Sequence, residues 1–316
     1  MQALVYTEPL TVAVLEVPEP VPGPGEVVVE VRAAGICGSE LEGFANQSPF
    51  RVPPLIMGHE FAGVRHDTGE HVVVNPLVSC LECDLCRRSL VNVCRKRQII
   101  GIHRPGGFAD RVAVPSSNCV SVDPSVPFTS LALAEPLANA VHALRLAQRH
   151  DAWPQRVGVI GCGMLGMAVG LVAARRGIPD VAICDLSPAR LAGAARSGLV
   201  AAGPQLSGEY DLIIDTVGSP ETRGSSVALI RPGGTAVWLG LHGEDSEVDE
   251  LAMIRNEKQI VTSFCYDRND FEIAVRLASE LKPDWIDTRT LPGGAEIFTA
   301  MSQRTVDAIK VLLVAG

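Results

Sequence analysis

Four of the nine cysteines lie close together and could hold a metal ion. They follow the spacing C-x2-C-x2-C-x7-C, at Cys80, Cys83, Cys86 and Cys94. Four thiolates on one short segment suit a tetrahedral zinc ion, and four protein ligands leave no position open for a substrate. A ferredoxin-type cluster would place three residues before the last cysteine and a proline after it, whereas Arg95 follows here. The spacing therefore predicts a structural zinc ion.

Two further residues of metal-ligand type, Cys37 and His59, stand apart from this cluster, each beside glycine. A catalytic zinc ion needs about three protein ligands and one open position for water or substrate. Cys37 and His59 could supply two of these ligands. Taken alone, however, Cys37 is more typical of a buried free thiol and His59 of a structural histidine, so these two residues by themselves do not establish a metal site.

A glycine-rich turn follows the strand predicted at 156–160, with the sequence Gly161-Cys162-Gly163-Met164-Leu165-Gly166. In a G-x-G-x-x-G turn, the first glycine allows the tight bend, the second lets the backbone approach a pyrophosphate, and the third lets the helix pack close to the sheet. Met164 and Leu165 open this helix, whose free N–H groups would face the phosphates. The pattern predicts a dinucleotide site.

The acidic residue that completes this pattern is Asp185, 19 residues after Gly166 and at the end of the next predicted strand. A carboxylate there accepts hydrogen bonds from the ribose hydroxyls and repels a 2′-phosphate, which favours NAD over NADP. The alternative is that Asp185 only caps the following helix.

The elements around these residues change character along the chain. Up to about residue 125 the sequence shows short strands, such as 27–31 and 70–74, between glycines and prolines. From about 155 strands and helices alternate, which predicts a parallel sheet covered by helices on both faces. These elements are the strands 156–160, 181–184, 212–214 and 236–239 and the helices 164–176 and 188–196.

Length, composition and charge exclude several classes of protein. With 316 residues the chain exceeds one ordinary domain, and 47% hydrophobic residues suffice for packed cores. A net charge of −9 offers no basic surface to nucleic acid. The uncharged stretch 157–174 is divided by glycines, so we expect no membrane segment. The first residues lack signal-peptide features, and clustered cysteines suit a reducing compartment, so we expect a cytoplasmic protein.

Taken together, the chain resembles the zinc-dependent medium-chain dehydrogenase/reductase family, which includes alcohol, polyol and threonine dehydrogenases. The matching motifs, in family order, are 35–39, 58–63, the four-cysteine lobe at about 78–97, 134–138, and 161–166 with Asp185. The resemblance implies an α/β fold: a split GroES-like β-barrel catalytic domain plus a doubly wound Rossmann dinucleotide-binding domain. It places the catalytic domain at 1–147 and 288–316 and the NAD-binding domain at 148–287.

The resemblance also implies roles at the second metal site. Cys37 and His59 would hold a catalytic zinc ion. Family members differ in which glutamate is the third ligand, and both Glu60 and Glu135 match. Ser39 matches the hydroxyl that bonds the substrate oxygen and starts proton removal. Glu42 replaces the histidine that many members use as an outer proton relay, and it is either a relay, a determinant of substrate preference or a surface carboxylate.

Further positions resemble the family's cofactor contacts. The residues beside the nicotinamide would be Val217, Gly218, Leu239, Gly240 and Leu241. Arg190 either covers the adenine or is a surface charge. Cys265 occupies the place where sorbitol-dehydrogenase-like members carry an arginine, which weakens a specific polyol assignment.

The function implied is hydride transfer between NAD(H) and a secondary, sugar or amino alcohol, with two zinc ions per chain, one catalytic and one structural. The alternative is a non-catalytic or zinc-free relative such as a quinone reductase-like protein. The partners expected are a small-molecule alcohol or ketone and further copies of the chain, as a homodimer or homotetramer, without nucleic acid or membrane.

Overall fold

The computed structural model describes residues 1–45, 48–148, 153–241 and 245–316. The chain divides into two compact units: unit 1 comprises Met1–Ala138 and Asp267–Gly316, and unit 2 comprises Asn139–Tyr266. The limits expected from the sequence were 147 and 288. The second limit falls earlier because the helix that follows Asp267 packs within unit 1, where Ser130 Oγ donates a hydrogen bond to the carbonyl of Leu281.

The strands, in chain order, are β1 (Gln2–Glu8), β2 (Thr11–Glu16), β3 (Glu26–Ile36), β4 (Leu55–Ile56), β5 (Glu60–Arg65), β6 (His71–Val74), β7 (Leu77–Val78), β8 (Gln98–Ile99), β9 (Arg111–Pro115), β10 (Cys119–Ser121), β11 (Arg156–Ile160), β12 (Asp180–Cys184), β13 (Val200–Ala201), β14 (Tyr210–Asp215), β15 (Ile230–Trp238), β16 (Gln259–Thr262), β17 (Ile286–Thr290) and β18 (Lys310–Val314). The α-helices are α1 (Gly38–Ala45), α2 (Asp84–Arg87), α3 (Phe128–Leu131), α4 (Ala134–Ala147), α5 (Met164–Arg175), α6 (Pro188–Arg196), α7 (Pro220–Ala228), α8 (Glu250–Arg255), α9 (Arg268–Glu280) and α10 (Gly294–Ser302).

Unit 1 is built on a curved, mostly antiparallel sheet. Its strand order is β10-β6-β5-β3-β18-β17, and β9 also pairs with β3. The long strand β3 therefore has β5 on one side and the C-terminal strand β18 on the other. Its inner face joins a core that includes Val29, Phe61, Val112 and Phe298. This arrangement pairs the C-terminal strand with β3, whereas the N-terminal strand β1 lies in a separate three-stranded sheet of the order β2-β1-β4.

Unit 2 contains a parallel sheet with the order β13-β12-β11-β14-β15-β16 among the residues described. The central strands β11 and β12 are almost wholly buried, as strands covered on both faces must be. Helix α6 begins as the sequence predicts, with Ser187 accepting a hydrogen bond from the Arg190 N–H and proline at the first helical position. The predicted α/β fold class, with its parallel sheet, is confirmed.

The uncharged stretch 157–174 is divided between β11, the glycine turn and α5. Among the described residues, none of the helices has the length and hydrophobicity that crossing a bilayer requires.

The contact between β3 and β5 leaves no space for a side chain at Gly63, which lies opposite Val31. A Cβ there would overlap the carbonyl oxygen of Glu30 and lie 2.9 Å from its carbonyl carbon. We expect Gly63→Ala to lower the free energy of unfolding by about 1–3 kcal/mol, measured by urea denaturation. Gly224→Ala, on α7, is the control, because that site is open and alanine favours helix. Equal denaturation midpoints for the two variants would contradict this account.

Candidate active site

Strands β3 and β5 bring three metal-ligand side chains together in unit 1. Cys37 follows the end of β3, His59 precedes β5, and Glu60 begins β5 opposite Gly35. One ligand atom from each of Cys37, His59 and Glu60 lies within 4.8 Å of the other two. His59 and Glu60 are buried. A sulfur, an imidazole nitrogen and a carboxylate oxygen form a donor set that fits zinc and leaves a fourth position open.

Glu40, on the first turn of α1, orients this cluster through hydrogen bonds to its residues and to the adjacent backbone. It is fully buried. Its Oε1 accepts a hydrogen bond from the Gly58 N–H at 2.8 Å and lies 2.9 Å from His59 Nδ1, and its Oε2 accepts one from the Cys37 N–H at 3.0 Å. A carboxylate can only accept here, so Nδ1 is the donor and Nε2 keeps its lone pair for a metal. Glu40 was not among the site residues predicted from the sequence.

The negative charges around His59 shift the pKa of its imidazole. Burial lowers the pKa of the imidazole, but the negative charges of Glu40 and Cys37 outweigh burial and raise the pKa well above its usual value. Without a cation the cluster therefore attracts a proton. A divalent cation would satisfy the same electrostatic demand more fully, which fits a metal site.

Glu60 is held by a cation from the other end of the chain. Lys310, on β18, forms an ion pair with Glu60 Oε2, and both side chains are 1% exposed. Lys310 Nζ also donates a hydrogen bond to the Ile36 carbonyl at 2.9 Å. The pair fits because Gly35 has no side chain: a Cβ there would lie 2.6 Å from Lys310 Cε. The sequence signal that could have found Lys310 is the single charge within the apolar run 308–313.

The remaining predicted residues of this site are placed as follows. Ser39 Oγ lies 3.4 Å from Cys37 Sγ and accepts a hydrogen bond from Arg51 Nη2 at 3.0 Å. Glu42 is partly buried on α1. Glu135 is buried at the first turn of α4, and within the described ranges it is not part of the group formed by Cys37, His59 and Glu60.

The four-cysteine lobe lies between β7 and β8, which pair with each other. The Sγ–Sγ distances are 3.4 Å for Cys80–Cys94, 3.9 Å for Cys83–Cys94 and 4.0 Å for Cys80–Cys86. A tetrahedron of sulfurs at the usual Zn–S distance has edges of about 3.8 Å, so the spacing fits a zinc ion. Backbone hydrogen bonds from Cys86 and Arg95 lower the pKa of Cys83 to about 6. A thiolate there is the form that binds a metal.

Unit 2 forms the glycine turn between β11 and α5. Gly161 has φ +93°, which disfavours other residues. Nothing lies within 4 Å of a Cβ built at Gly163, and a Cβ at Gly166 would overlap the Gly161 carbonyl. The turn thus leaves space in front of the helix N-terminus and closes tightly behind it. This cradle fits a dinucleotide pyrophosphate.

Asp185 supports the same turn from the end of β12. Its Oδ2 accepts a hydrogen bond from the Cys162 N–H at 2.6 Å, and its Oδ1 accepts one from the Ser187 N–H at 2.8 Å. Arg190 Nη1 lies 4.0 Å from Asp185 Oδ2. The helix-capping interpretation is therefore incomplete, because the carboxylate also ties the glycine turn to β12.

The carboxyl ends of β14 and β15 meet at a buried carboxylate, Asp215, which was not among the residues predicted from the sequence. Asp215 Oδ1 accepts hydrogen bonds from the Val217 and Gly218 N–H groups, at 2.9 and 3.0 Å. The N–H groups of Leu239 and Gly240 both donate to the Asp215 carbonyl. A Cβ at Gly218 would lie 2.6 Å from the Gly240 carbonyl carbon. The predicted nicotinamide contacts at these strand ends are thus joined by one network, with Leu241 exposed beside it.

Families of known proteins match segments in both halves of the chain. Residues 23–124 match the family described as alcohol dehydrogenase GroES-like domain, and residues 165–280 match zinc-binding dehydrogenase. The chain is 30% identical over 304 residues to L-galactonate-5-dehydrogenase of Escherichia coli K12, covering 89% of this chain and 88% of that protein. It is 30% identical over 312 residues to D-altritol 5-dehydrogenase of Agrobacterium fabrum, covering 90% and 93%.

Among solved structures, the chain is similar to the alcohol dehydrogenase rspB from E. coli CFT073 in complex with NADH. The TM-score is 0.89 at 28% identity, and 99% of each chain is covered.

Since Glu40 contacts both the His59 ring and the Cys37 backbone, it should control zinc binding at this cluster. We expect Glu40→Gln to weaken the binding of zinc by this cluster by about 10- to 100-fold. The zinc ion bound by the cysteine lobe should be retained. Zinc per chain after dialysis against graded chelators measures the effect. The control is Glu42→Gln, which removes the same charge from the same helix. Equal zinc loss in both variants would show that only helix charge matters.

Cys94 should be essential for the lobe, because its buried Sγ contacts two other sulfurs and accepts hydrogen bonds from the Cys80 and Lys96 N–H groups. We expect Cys94→Ser to bind one zinc ion fewer per chain and to become sensitive to proteolysis within 78–97. Metal analysis and limited digestion check this. Cys119→Ser, on β10, is the control and should keep both ions. Unchanged zinc in the Cys94 variant would refute the structural site.

Proposed function

Because the chain belongs to the zinc-dependent medium-chain dehydrogenase/reductase family, we propose that it is an alcohol dehydrogenase. It interconverts a secondary, sugar or amino alcohol and the corresponding ketone or aldehyde, with zinc and NAD as cofactors. The observation that carries this proposal is the cluster of Cys37, His59 and Glu60, with the Ser39 hydroxyl beside it. This cluster combines a metal site that has one open coordination position with a hydroxyl that can accept and pass on a proton.

We assign the catalytic zinc ligands to Cys37, His59 and Glu60, with Glu135 as the alternative carboxylate. When bound, zinc lowers the pKa of the substrate hydroxyl and NAD⁺ accepts the hydride from the carbinol carbon. Glu40 keeps His59 in the tautomer that presents Nε2. Lys310 holds one oxygen of Glu60, so the other oxygen remains for the metal.

Ser39 is the first group to receive the proton of the substrate. Because Arg51 donates to Ser39 Oγ, the hydroxyl proton of Ser39 points away from Arg51, and in the structure it is directed toward Cys37 Sγ. For Ser39 to take up the substrate proton, this hydroxyl proton must turn outward and leave at the same time. An arginine cannot accept a proton, so the outward path must leave Ser39 in another direction. Glu42, on the same helix, replaces the usual histidine, and we propose it either as the next relay or as a determinant of substrate preference.

The cofactor assignment rests on the glycine turn and on Asp185. The Met164 and Leu165 N–H groups at the start of α5 face the pyrophosphate, and the Asp185 carboxylate faces the adenosine ribose and disfavours a 2′-phosphate. The network of Asp215 holds Val217, Gly218 and the segment 239–241 for contact with the nicotinamide. A zinc-free, quinone reductase-like activity would leave the cysteine lobe and the Cys37 cluster without a role.

Two finer proposals concern the protein as a whole. The sequence favours a homodimer or homotetramer, which light scattering tests. The clustered cysteines, all of them free thiols in the structure, favour a reducing compartment such as the cytoplasm.

The activity test uses protein with two zinc ions per chain and a panel of alcohols and polyols, followed by NADH absorbance, with NADP⁺ as the alternative acceptor. We expect turnover with NAD⁺ and a loss of kcat/KM of about 1,000-fold or more in Cys37→Ser, because the Lewis acid contributes several kcal/mol to the barrier. Cys119→Ser, on β10, is the matched control. Absence of turnover on every alcohol by fully zinc-loaded protein would overturn the proposal.

A further inference from the structure

Arg51 is a charged residue buried where apolar residues would be expected. It lies in the segment between α1 and β4 and is only 7% exposed, whereas its neighbours Phe50 and Val52 are 66% and 67% exposed. Burying a guanidinium in preference to a phenyl ring and a valine costs free energy unless a partner compensates. Here the charged residue is buried and its apolar neighbours are exposed, which indicates a function for the Arg51 side chain.

The protein supplies little compensation. Nη2 donates one hydrogen bond, to the neutral Ser39 hydroxyl, and the buried Nε has no hydrogen-bond partner. Within the described ranges, no carboxylate oxygen lies within the 4.0 Å of an ion pair with Arg51. The positive charge is therefore not neutralised by direct contact with a carboxylate of the protein.

The two carboxylates nearest in the site are already engaged. Glu40 is hydrogen bonded to His59 and to two backbone N–H groups. Glu60 is paired with Lys310. Neither is hydrogen bonded to Arg51, whose charge acts on Glu40 only at longer range, where it helps to lower the pKa of that carboxyl.

The fold nevertheless makes room for this cation. A Cβ at Gly43, on α1, would lie 2.8 Å from Arg51 Nη1 and 3.1 Å from its Cδ. Glycine at this helical position costs about 1 kcal/mol relative to alanine, and here it leaves the space that the guanidinium fills. The Arg51 N–H donates to the Ser48 carbonyl, which anchors the backbone of the segment.

We propose that the alcohol substrate carries an anionic oxyacid group, a carboxylate or a phosphate, and that Arg51 binds it. This rests on the proposed function, which places the substrate hydroxyl at Ser39. Since Arg51 Nη2 and that hydroxyl share Ser39 Oγ as a partner, they lie at most about 6 Å apart, and the anionic oxygen that Arg51 binds lies at most about 3 Å farther away. The anionic group therefore stands within a few carbons of the reacting carbinol. Guanidinium suits such groups because it donates two parallel hydrogen bonds.

The test uses the zinc-loaded full-length enzyme with NAD⁺ and sets of substrates that share one carbon skeleton: a neutral polyol, the aldonic acid and the polyol phosphate. We expect one of the two anionic forms to exceed the neutral form at least about 10-fold in kcat/KM, and the preferred form identifies the group. In Arg51→Gln the ratio of anionic to neutral kcat/KM should fall by about 10- to 100-fold, mainly through KM of the anionic substrate. Arg51→Lys should recover part of it.

Arg255→Gln is the matched control, because it removes the same charge from an exposed position at the end of α8. A second readout needs no turnover: calorimetric binding of the deoxy acid that lacks the reacting hydroxyl should weaken in Arg51→Gln and not in the control. If no alcohol is oxidised, the proposed function fails, while loss of deoxy-acid binding in Arg51→Gln still supports an anion site.

Three results would overturn the inference. One is a wild-type preference for the neutral polyol in every set. Another is an equal loss of kcat/KM for neutral and anionic substrates in Arg51→Gln, which would make Arg51 only a positioning residue for Ser39. The third is unchanged binding of the deoxy acid in that variant.

Discussion

The charges buried around Cys37, His59 and Glu60 are the constraint on which the rest of unit 1 depends. A buried carboxylate without a partner costs several kcal/mol, so each acid in the site must meet a donor or a cation. Glu40 meets His59 and two backbone N–H groups, and Glu60 meets Lys310. Lys310 comes from the C-terminal strand, next to β3. The C-terminal strand therefore pairs with β3 for an electrostatic reason as well as for apolar packing.

Close backbone contacts fix the position of the same site. Gly58, with φ +98°, turns the chain just before His59, and a Cβ there would lie 2.7 Å from the Phe108 ring and backbone. Gly101 and Gly106 pack against the backbone of Gly58 from the segment that follows the cysteine lobe. The lobe thus leads directly into the residues that support the His59 turn. A structural zinc ion that orders the lobe would also restrict the approach of this segment to the catalytic cluster.

The parts of the fold that sequence could predict are those encoded by neighbouring residues. The cysteine spacing, the glycine turn with Asp185, and the cap of α6 at Ser187 each depend on short stretches of chain. Lys310 and Arg51 were missed because their partners, Glu60 and Ser39, are chosen by strand pairing and loop packing. Asp215 was missed because a buried acid at a strand end has the same sequence appearance as a turn residue. The limit at Asp267 shifted because α9 shows amphipathic periodicity but not which core it covers.

The two units offer different kinds of hydrogen-bond donor to a bound anion, and under our proposal this difference places substrate preference in unit 1. In unit 2 the groups available to the cofactor are mostly backbone N–H groups, set by the glycine turn and shared by any chain that folds this way. In unit 1 the available donors are side chains on loops and on α1, which vary without disturbing the sheet. Arg51 belongs to the second kind: among the described residues its side chain hydrogen bonds only to the Ser39 hydroxyl, which we propose as the group that meets the substrate. A buried cation that costs folding energy, and whose guanidinium hydrogen bonds only to Ser39 among the described residues, is best explained by what it binds.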